Sequence, residues 1–485
     1  MPNSRPQIVW LREDLRLHDN PALTAAAETG APVVCLYILE EGNTGPRALG
    51  GASKWWLHKS LEMLSADIAA RGGRLILRRG DALKILLDIA SGLGASSVFW
   101  NRRYDAGGIE ADKTIKAALK QAGLDAKSLN GRLLTEPWAI KSQSGSYYRV
   151  FTPYWRAVRA EYRPPTPRPA PDRLAAPDLA SDKLEDWDLE PTSPDWASRF
   201  SEIWTPGEAG AAARLEAFLN GPVNTYGEDR NRPDLEGATS GLSPHLRWGE
   251  ISPAQVWRAV EGRISAGTIS ESSAWKFLSE LVWREFSYVL LYHNPALAEE
   301  NYNKDFRQMP WRSSQDDLSA WQRGQTGYPI VDAGMRQLWT HGWMHNRVRM
   351  VAASFLTKHL LIPWQTGEDW FWDTLVDADP AANAASWQWV AGSGADAAPY
   401  FRVFNPITQG EKFDVTGGYV RQWCPELAEL PDKYLFSPWQ APPDLLDKAG
   451  IQLGETYPHP IIDHREGRER ALAAYDQVKS LREAS

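Results

Sequence analysis

Short apolar runs alternate with amphipathic stretches over residues 1–130. The runs QIVWL (7–11), PVVCLYIL (32–39), RLILRRG (74–80) and SSVFWN (96–101) are continuous rather than alternating. That pattern predicts strands buried on both faces, as in a parallel sheet. Between them lie helical stretches such as SKWWLHKSLEMLSADIAARGG (53–73) and IEADKTIKAALKQAGL (109–124), each running out at glycine, the usual helix stop. Alternating strands and helices predict an α/β domain with a doubly wound, Rossmann-like parallel sheet. The turn after the first strand is REDLRLHDNPAL rather than G-x-G-x-x-G, so the usual dinucleotide cradle is missing there.

The pattern changes over residues 131–205. Eight prolines fall between Arg163 and Trp196, which predicts an extended surface connector. Thr205-Pro206-Gly207-Glu208 then reads as a capping box with proline at the first helical position. That helix stops at Asn220-Gly221-Pro222, and residues 206–485 read as an all-α domain. No internal repeat and no low-complexity tail interrupts it.

Composition narrows the class. A chain of 485 residues is too long for one core. Its longest apolar run, Ala31 to Leu39, is far short of a membrane span, and the first residues carry no apolar leader. Two cysteines, Cys35 and Cys424, point to a reducing, cytoplasmic setting and exclude a disulfide framework or a thiolate metal site. The net charge of −8 weighs mildly against nucleic acid, although a local basic face is compatible with it. Tryptophan is the outlier: 16 of the 24 lie after residue 200. They serve as core bulk, as stacking surfaces or as electron-hopping stations, and composition alone favours the first.

Four stretches of the helical half carry candidate chemistry. In 226–252, Gly237 to Pro244 is a small-hydroxyl loop opening a helix; it suits a phosphate, or is an ordinary cap. It has no G-K-[ST], so it is not a P-loop. In 277–290, Glu280 and Arg284 are four residues apart with Trp283 beside them, an ion pair among strongly apolar neighbours. In 342–356, Trp343, Asn346, Arg347 and Met350 fall on one helical face, a poor core and a good ligand wall. Arg349 points elsewhere, and His345 reads as a packed histidine. In 377–406, Asp377, Asp379, Asn383, Trp387 and Trp389 stand among alanines and glycines, which allow close approach to backbone. No His or Glu cluster accompanies the two aspartates, so pairing of Asp377 with Arg349 is the simpler reading than a metal.

Together, WLREDLRLHDNPAL (10–23), TGYPIVDAGMRQLWTHGWMHNRVRMVAASFL (326–356) and WQWVAGSGADAAPYFRVFNP (387–406) resemble the photolyase/cryptochrome family over nearly the whole chain. The resemblance implies an antenna domain, a long connector and a helical domain holding folded FAD. It places Asn383 beside the flavin N5, Asp377 paired with Arg349 near the ring, and Asp379 at the ring's polar edge. Tyr226 and the loop Thr239, Ser240, Gly241, Leu242 and Ser243 would hold phosphates, with charge from Arg284. Phe277, Glu280, Asn346 and Ala378 complete the cofactor set. Trp387, Trp364 and Trp311 fill the family's three-tryptophan relay, with side branches through Trp389 or Tyr400 left open.

Within the family the pocket resembles that of members acting on DNA that carries UV-induced cyclobutane pyrimidine dimers. Trp283 and Trp389 look like the wall on which a flipped-out dimer stacks, and Glu280 like the carboxyl meeting its base edge. Met350 and Asn346 resemble the rest of the pocket, and Arg230 and Arg347 the phosphate contacts, within a basic rim also including Arg232 and Arg402. A (6-4) enzyme would place histidines where Asn346 and Met350 stand. A receptor of the plant type would replace Glu280 and Trp283 and carry a signalling tail, although SGLSPHLRWGEIS (240–252) looks close to that branch. The resemblance further implies a monomer and a second chromophore, methenyltetrahydrofolate or alternatively a deazaflavin. Glu40, Asn101 and Arg102, at presumed strand ends, are the antenna candidates.

Overall fold

A computed structural model describes residues 5–41, 46–397 and 401–483. Tyr400 and the N-terminal four residues lie outside the described residues.

Five strands form one parallel sheet: β1 (Gln7–Leu11), β2 (Val33–Glu40), β3 (Leu75–Gly80), β4 (Ser97–Asn101) and β5 (Asp125–Leu129), in the order β3-β2-β1-β4-β5. Val9 of β1 lies opposite Cys35 on one side and Phe99 on the other. β1 and β4 are buried at every residue, which is why their sequences are unbroken apolar runs. β5 reads DAKSL and carries no such signal: it pairs only with β4, so half of it stays wet.

Four helices connect the strands: α1 (Pro21–Ala27), α2 (Gly51–Ala69), α3 (Ala82–Leu93) and α4 (Ala106–Gln121). Three of them start on side-chain caps. Asn20 accepts from Leu23 N, Asp81 from Lys84 N and Asp105 from Gly108 N, satisfying amides that the helix itself leaves unpaired.

The chain gathers into two compact units whose segments interleave in sequence. The first holds Met1–Asp195, Trp204–Asn224 and Ser240–Pro295; the second holds Trp196–Ile203, Thr225–Thr239 and Ala296–Ser485. The helical half therefore does not stand apart from residue 206 onward. Its first part joins the sheet unit through buried polar contacts such as Trp56 Nε1 to Glu250 Oε1 at 3.0 Å.

The expected connector is extended but not loose. It contains α5 (Phe151–Glu161), and beyond it the chain bonds to the sheet backbone: Ala175 N donates to Val33 O, and Asp182 N to Leu77 O. Trp187 is buried with its ring 6.1 Å from that of Tyr37. The capping box at Thr205 does not form. The helix there, α6 (Glu208–Leu219), begins after Gly207 at φ 101° with no side-chain cap. The Glu208 carboxylate instead accepts from Leu17 N and from His18 N, a use that sequence spacing cannot show.

The sheet unit also contains α7 (Glu271–His293), which lies against α5. The second unit is built on α8 (Pro329–His341), α9 (Asn346–Ser354), a π-helical turn (Phe355–His359), α10 (Trp364–Thr374), α11 (Ala382–Ala391) and α12 (His464–Glu483). Among the described residues, no helix is long and apolar enough to cross a membrane.

Candidate functional site

In the second unit, α9 and α11 carry the polar wall. α9 starts at Asn346 after an N-cap at His345, so Trp343 precedes the helix and leaves the face assigned to it from the sequence. Asn346 is exposed, while Arg347, Arg349 and Met350 are half-buried. The Arg349–Asp377 pair forms with two parallel hydrogen bonds, 3.1 and 2.9 Å, the fork geometry that arginine supplies and lysine cannot. A third guanidinium donor goes to Met344 O at 2.7 Å, which fixes the arginine against its own helix start. Ala378, next to Asp377, is fully buried.

Asp379 uses one oxygen to accept from Ala381 N and Ala382 N, both at 2.9 Å, and so starts α11. Asn383, on the first turn, is buried. Its amide nitrogen donates to Glu368 Oε1 at 2.7 Å and Glu368 O at 3.1 Å, which leaves the amide oxygen as the end able to accept. One turn on, the Trp387 ring lies so close to α10 that a side chain at Gly367 would overlap it. Trp364, the first residue of α10, is fully buried and donates to Asn301 Oδ1 at 2.8 Å. Trp311 is half-buried against two apolar clusters of this unit. Trp389 is half-buried and its indole N–H donates to Asp396 O at 3.0 Å.

A basic group forms beside this wall. Arg347 donates to the neutral amide oxygen of Asn231 at 2.8 Å and lies over the Phe413 ring. Burial and then the nearby charges of Arg230 and Arg402 lower its pKa. Arg347, bonded to an amide rather than a carboxylate and with Arg230 and Arg402 nearby, suits an anion from outside. Arg232 leaves the expected rim, because Asp234 clasps it with bonds of 2.9 and 2.6 Å. His345 is packed, as expected, and its Nδ1 accepts from Arg347 N at 3.2 Å. Burial and the charges of Arg347, Arg349 and Arg230 push its pKa down to about 3, so its ring is neutral near neutral pH. Tyr226 is buried in a short helix, with Arg230 5.7 Å over its ring, and Thr239 is half-buried.

In the sheet unit, Ser240, Gly241 and Leu242 lead into a six-residue helix starting at Ser243, which no side chain caps. Gly241 sits at φ 61°, where a side chain would also strike the Arg214 guanidinium. Arg214 stacks on Trp204 at 4.4 Å, and nothing in the local sequence marks it as a neighbour of this loop.

α7 presents Glu280 and Trp283 one turn apart, both half-buried. The helical partner of Glu280 is Lys276, at 2.9 Å on the preceding turn, rather than Arg284. Arg284 turns inward to Glu285 Oε1 at 3.0 Å and Arg132 O at 2.9 Å, since a buried carboxylate competes better for it than a half-wet one. Phe277 is buried against Phe218.

Glu285 accepts from Leu134 N at 2.7 Å, and burial raises its pKa from 4.5 to about 7 against the pull of Arg284. A raised carboxyl stabilises the fold below its unfolded pKa and loses that contribution as pH climbs through the folded value. Glu285→Gln should therefore gain on the parent in thermal melts as pH rises from about 4.5 to about 7, on the order of 3 kcal/mol in all. A constant difference across that window would place the titration elsewhere.

The antenna candidates are occupied by structure. Asn101 is buried and donates to Asp14 and Asn20, Arg102 pairs with Glu136, and Glu40 with Arg103.

A family model described as the FAD binding domain of DNA photolyase matches residues 277–477, and one described as DNA photolyase matches residues 7–172. A deoxyribodipyrimidine photo-lyase of Agrobacterium fabrum is 56% identical, over 98% of each chain. Cryptochrome-1 of Arabidopsis thaliana is 37% identical, over 99% of this chain and 71% of that one. A bacterial class III photolyase from Agrobacterium tumefaciens has a crystal structure matching with TM-score 0.95 at 55% identity, over 99% of this chain and 98% of that one.

Proposed function

The chain belongs to the photolyase/cryptochrome family, and from that premise we propose that it is a light-driven DNA repair lyase acting on cyclobutane pyrimidine dimers. The observation that carries this reading is the α7 face: Glu280 and Trp283, one turn apart and half open, offer a carboxyl and a flat ring to an extruded pyrimidine dimer.

FAD suits the residues present. Asn383, Asp377 with Arg349, and Asp379 supply a buried polar edge on a floor of alanine, and an amide oxygen is left to accept. We assign Asn383, Asp377, Ala378, Asp379, Arg349 and Asn346 to the flavin end. Tyr226 and the loop from Thr239 to Ser243 go to the phosphates, and Phe277, Glu280 and Arg284 complete the set. Bound FAD supplies, in its reduced form and under light, the electron that splits the dimer. The chain's own part goes to named side chains: we assign Trp283 and Trp389 to stacking on the lesion, Glu280 to its base edge, and Met350 and Asn346 to further lesion contacts. Trp311, Trp364 and Trp387 form the relay that restores the reduced cofactor. Arg230, Arg347 and Arg402 hold phosphates, so affinity should fall as salt rises.

A (6-4) activity is disfavoured on chemical grounds. His345 is buried and neutral near neutral pH, hence no imidazolium acid, and Asn346 and Met350 provide no imidazole. We further propose a monomeric, cytoplasmic enzyme with a second chromophore, methenyltetrahydrofolate ahead of a deazaflavin.

The test is anaerobic illumination of the chemically reduced protein with an oligonucleotide carrying one thymine dimer. Recovery of thymine absorbance is expected in light, with none in the dark and none for a (6-4) oligonucleotide. No recovery with either lesion, from protein whose FAD still photoreduces, would replace the proposal by a blue-light receptor.

A further inference from the structure

Trp283 is not a free-standing ring. Phe151, the first residue of α5, stacks on it with ring centroids 3.7 Å apart and planes 10° from parallel. Phe286, one turn along α7, meets the same indole edge-on at 5.7 Å and 79°. Phe286 also contacts Phe151 at 5.9 Å, and Tyr154 on the next turn of α5 at 5.5 Å. One neighbour thus fixes the plane of the indole and the other its rotation within that plane. Phe151 is buried, whereas Trp283 remains half open. The ring therefore has one face covered and a part left open to a flat ligand.

Such an arrangement has a thermodynamic use. A side chain that must be immobilised on binding weakens affinity each time, by up to about tenfold. An aromatic stack formed in advance, itself favourable, removes that cost from the binding step. We propose that Phe151 is a positioning residue for lesion recognition, which holds Trp283 in the orientation that an extruded pyrimidine dimer stacks upon. This rests on the repair reading above. Phe151 itself touches neither lesion nor cofactor; the dimer adds a layer to a stack that Phe151 begins. Plain core packing would need the apolar bulk of Phe151 but not its flat ring, and that difference is what substitution can separate.

The measurement is the preference for dimer-containing over undamaged oligonucleotide, as a ratio of Kd values in the dark, on protein carrying FAD. Phe151→Leu and Phe151→Met keep apolar bulk and should each lower the ratio about tenfold, with cofactor absorbance unchanged. Phe151→Tyr keeps the ring and should retain the ratio. Independently, in the unsubstituted protein labelled with 5-fluorotryptophan, the resonance lost in Trp283→Phe should be single, sharp and shifted by the ring current of Phe151. An unsubstituted chain with no preference for the dimer overturns the repair reading itself. A preference that survives Phe151→Leu, or falls equally in Phe151→Tyr, overturns the role of Phe151 alone. A broad, unshifted resonance does the same, even where the variants fail to fold.

Discussion

Asp332→Ala is expected to lower stability by about 4 kcal/mol or more, among the largest effects of any single change in this chain. Asp332 is fully buried in the first turn of α8, in the second unit. Its carboxylate accepts from Thr326 N at 2.7 Å, Thr326 Oγ1 at 2.6 Å, Gly327 N at 3.0 Å and Tyr457 Oη at 2.7 Å. These bonds close the turn before α8 and tie it to the chain near Tyr457, where Ile461 N also donates to Thr326 O. Alanine would leave the donors buried without acceptors, and each costs about 1–3 kcal/mol when desolvated and unpaired. Asp332→Asn keeps the shape but turns an NH2 group towards donors, so its loss should be smaller, about 1–3 kcal/mol. Urea unfolding of the two variants beside the parent measures this. A loss below ~1 kcal/mol for alanine would mean that the turn reopens to water. The aspartate in TGYPIVDAGMRQLW is thus accounted for by architecture, without any ligand.

Trp364→Phe should stop light-driven reduction of bound FAD while leaving the chemically reduced protein able to repair. Trp364 is fully buried at the start of α10, and Gly367 on that helix clears the space in which Trp387 lies. Phenylalanine preserves a ring but is far harder to oxidise than indole, so the middle station of the proposed relay is removed. It also strands Asn301 Oδ1, the acceptor of the indole N–H, at about 1–3 kcal/mol of stability. Absorbance of the flavin under blue light, followed by a dimer assay after chemical reduction, reads both parts. Undiminished photoreduction would point to another route, with Trp389 the first to examine. Loss of repair after chemical reduction would instead mean that Trp364 supports the shape of the site as well as the supply of electrons.

Much of this was legible in the order of residues. Strands buried on both faces must be apolar throughout, so β1 and β4 announced themselves, as did the buried first parts of β2 and β3; β5, wet on one side, did not. The Asp377–Arg349 pair was readable because its geometry needs only the two residue types and a cofactor motif around them. The Glu280–Arg284 pair was misread for the complementary reason. Helical spacing brings the two within reach, but it says nothing of Lys276 and Glu285, which compete for them. Arg232 was lost from the basic rim in the same way, to Asp234 two residues on. The stack of Phe151 on Trp283 joins residues from α5 and α7 that no periodicity relates.

The sequence by itself determined the alternation of strand and helix, the family, and the residue types available for flavin, lesion and phosphate, because each depends on local periodicity or on side-chain chemistry. Only the tertiary structure decided which charges pair, which histidine is buried and neutral, and which ring backs which, because those outcomes turn on competition among groups far apart in the chain. Burial sets the stakes of that competition: at His345 and Glu285 it moves proton affinity, and around Asp332 it makes every donor bind.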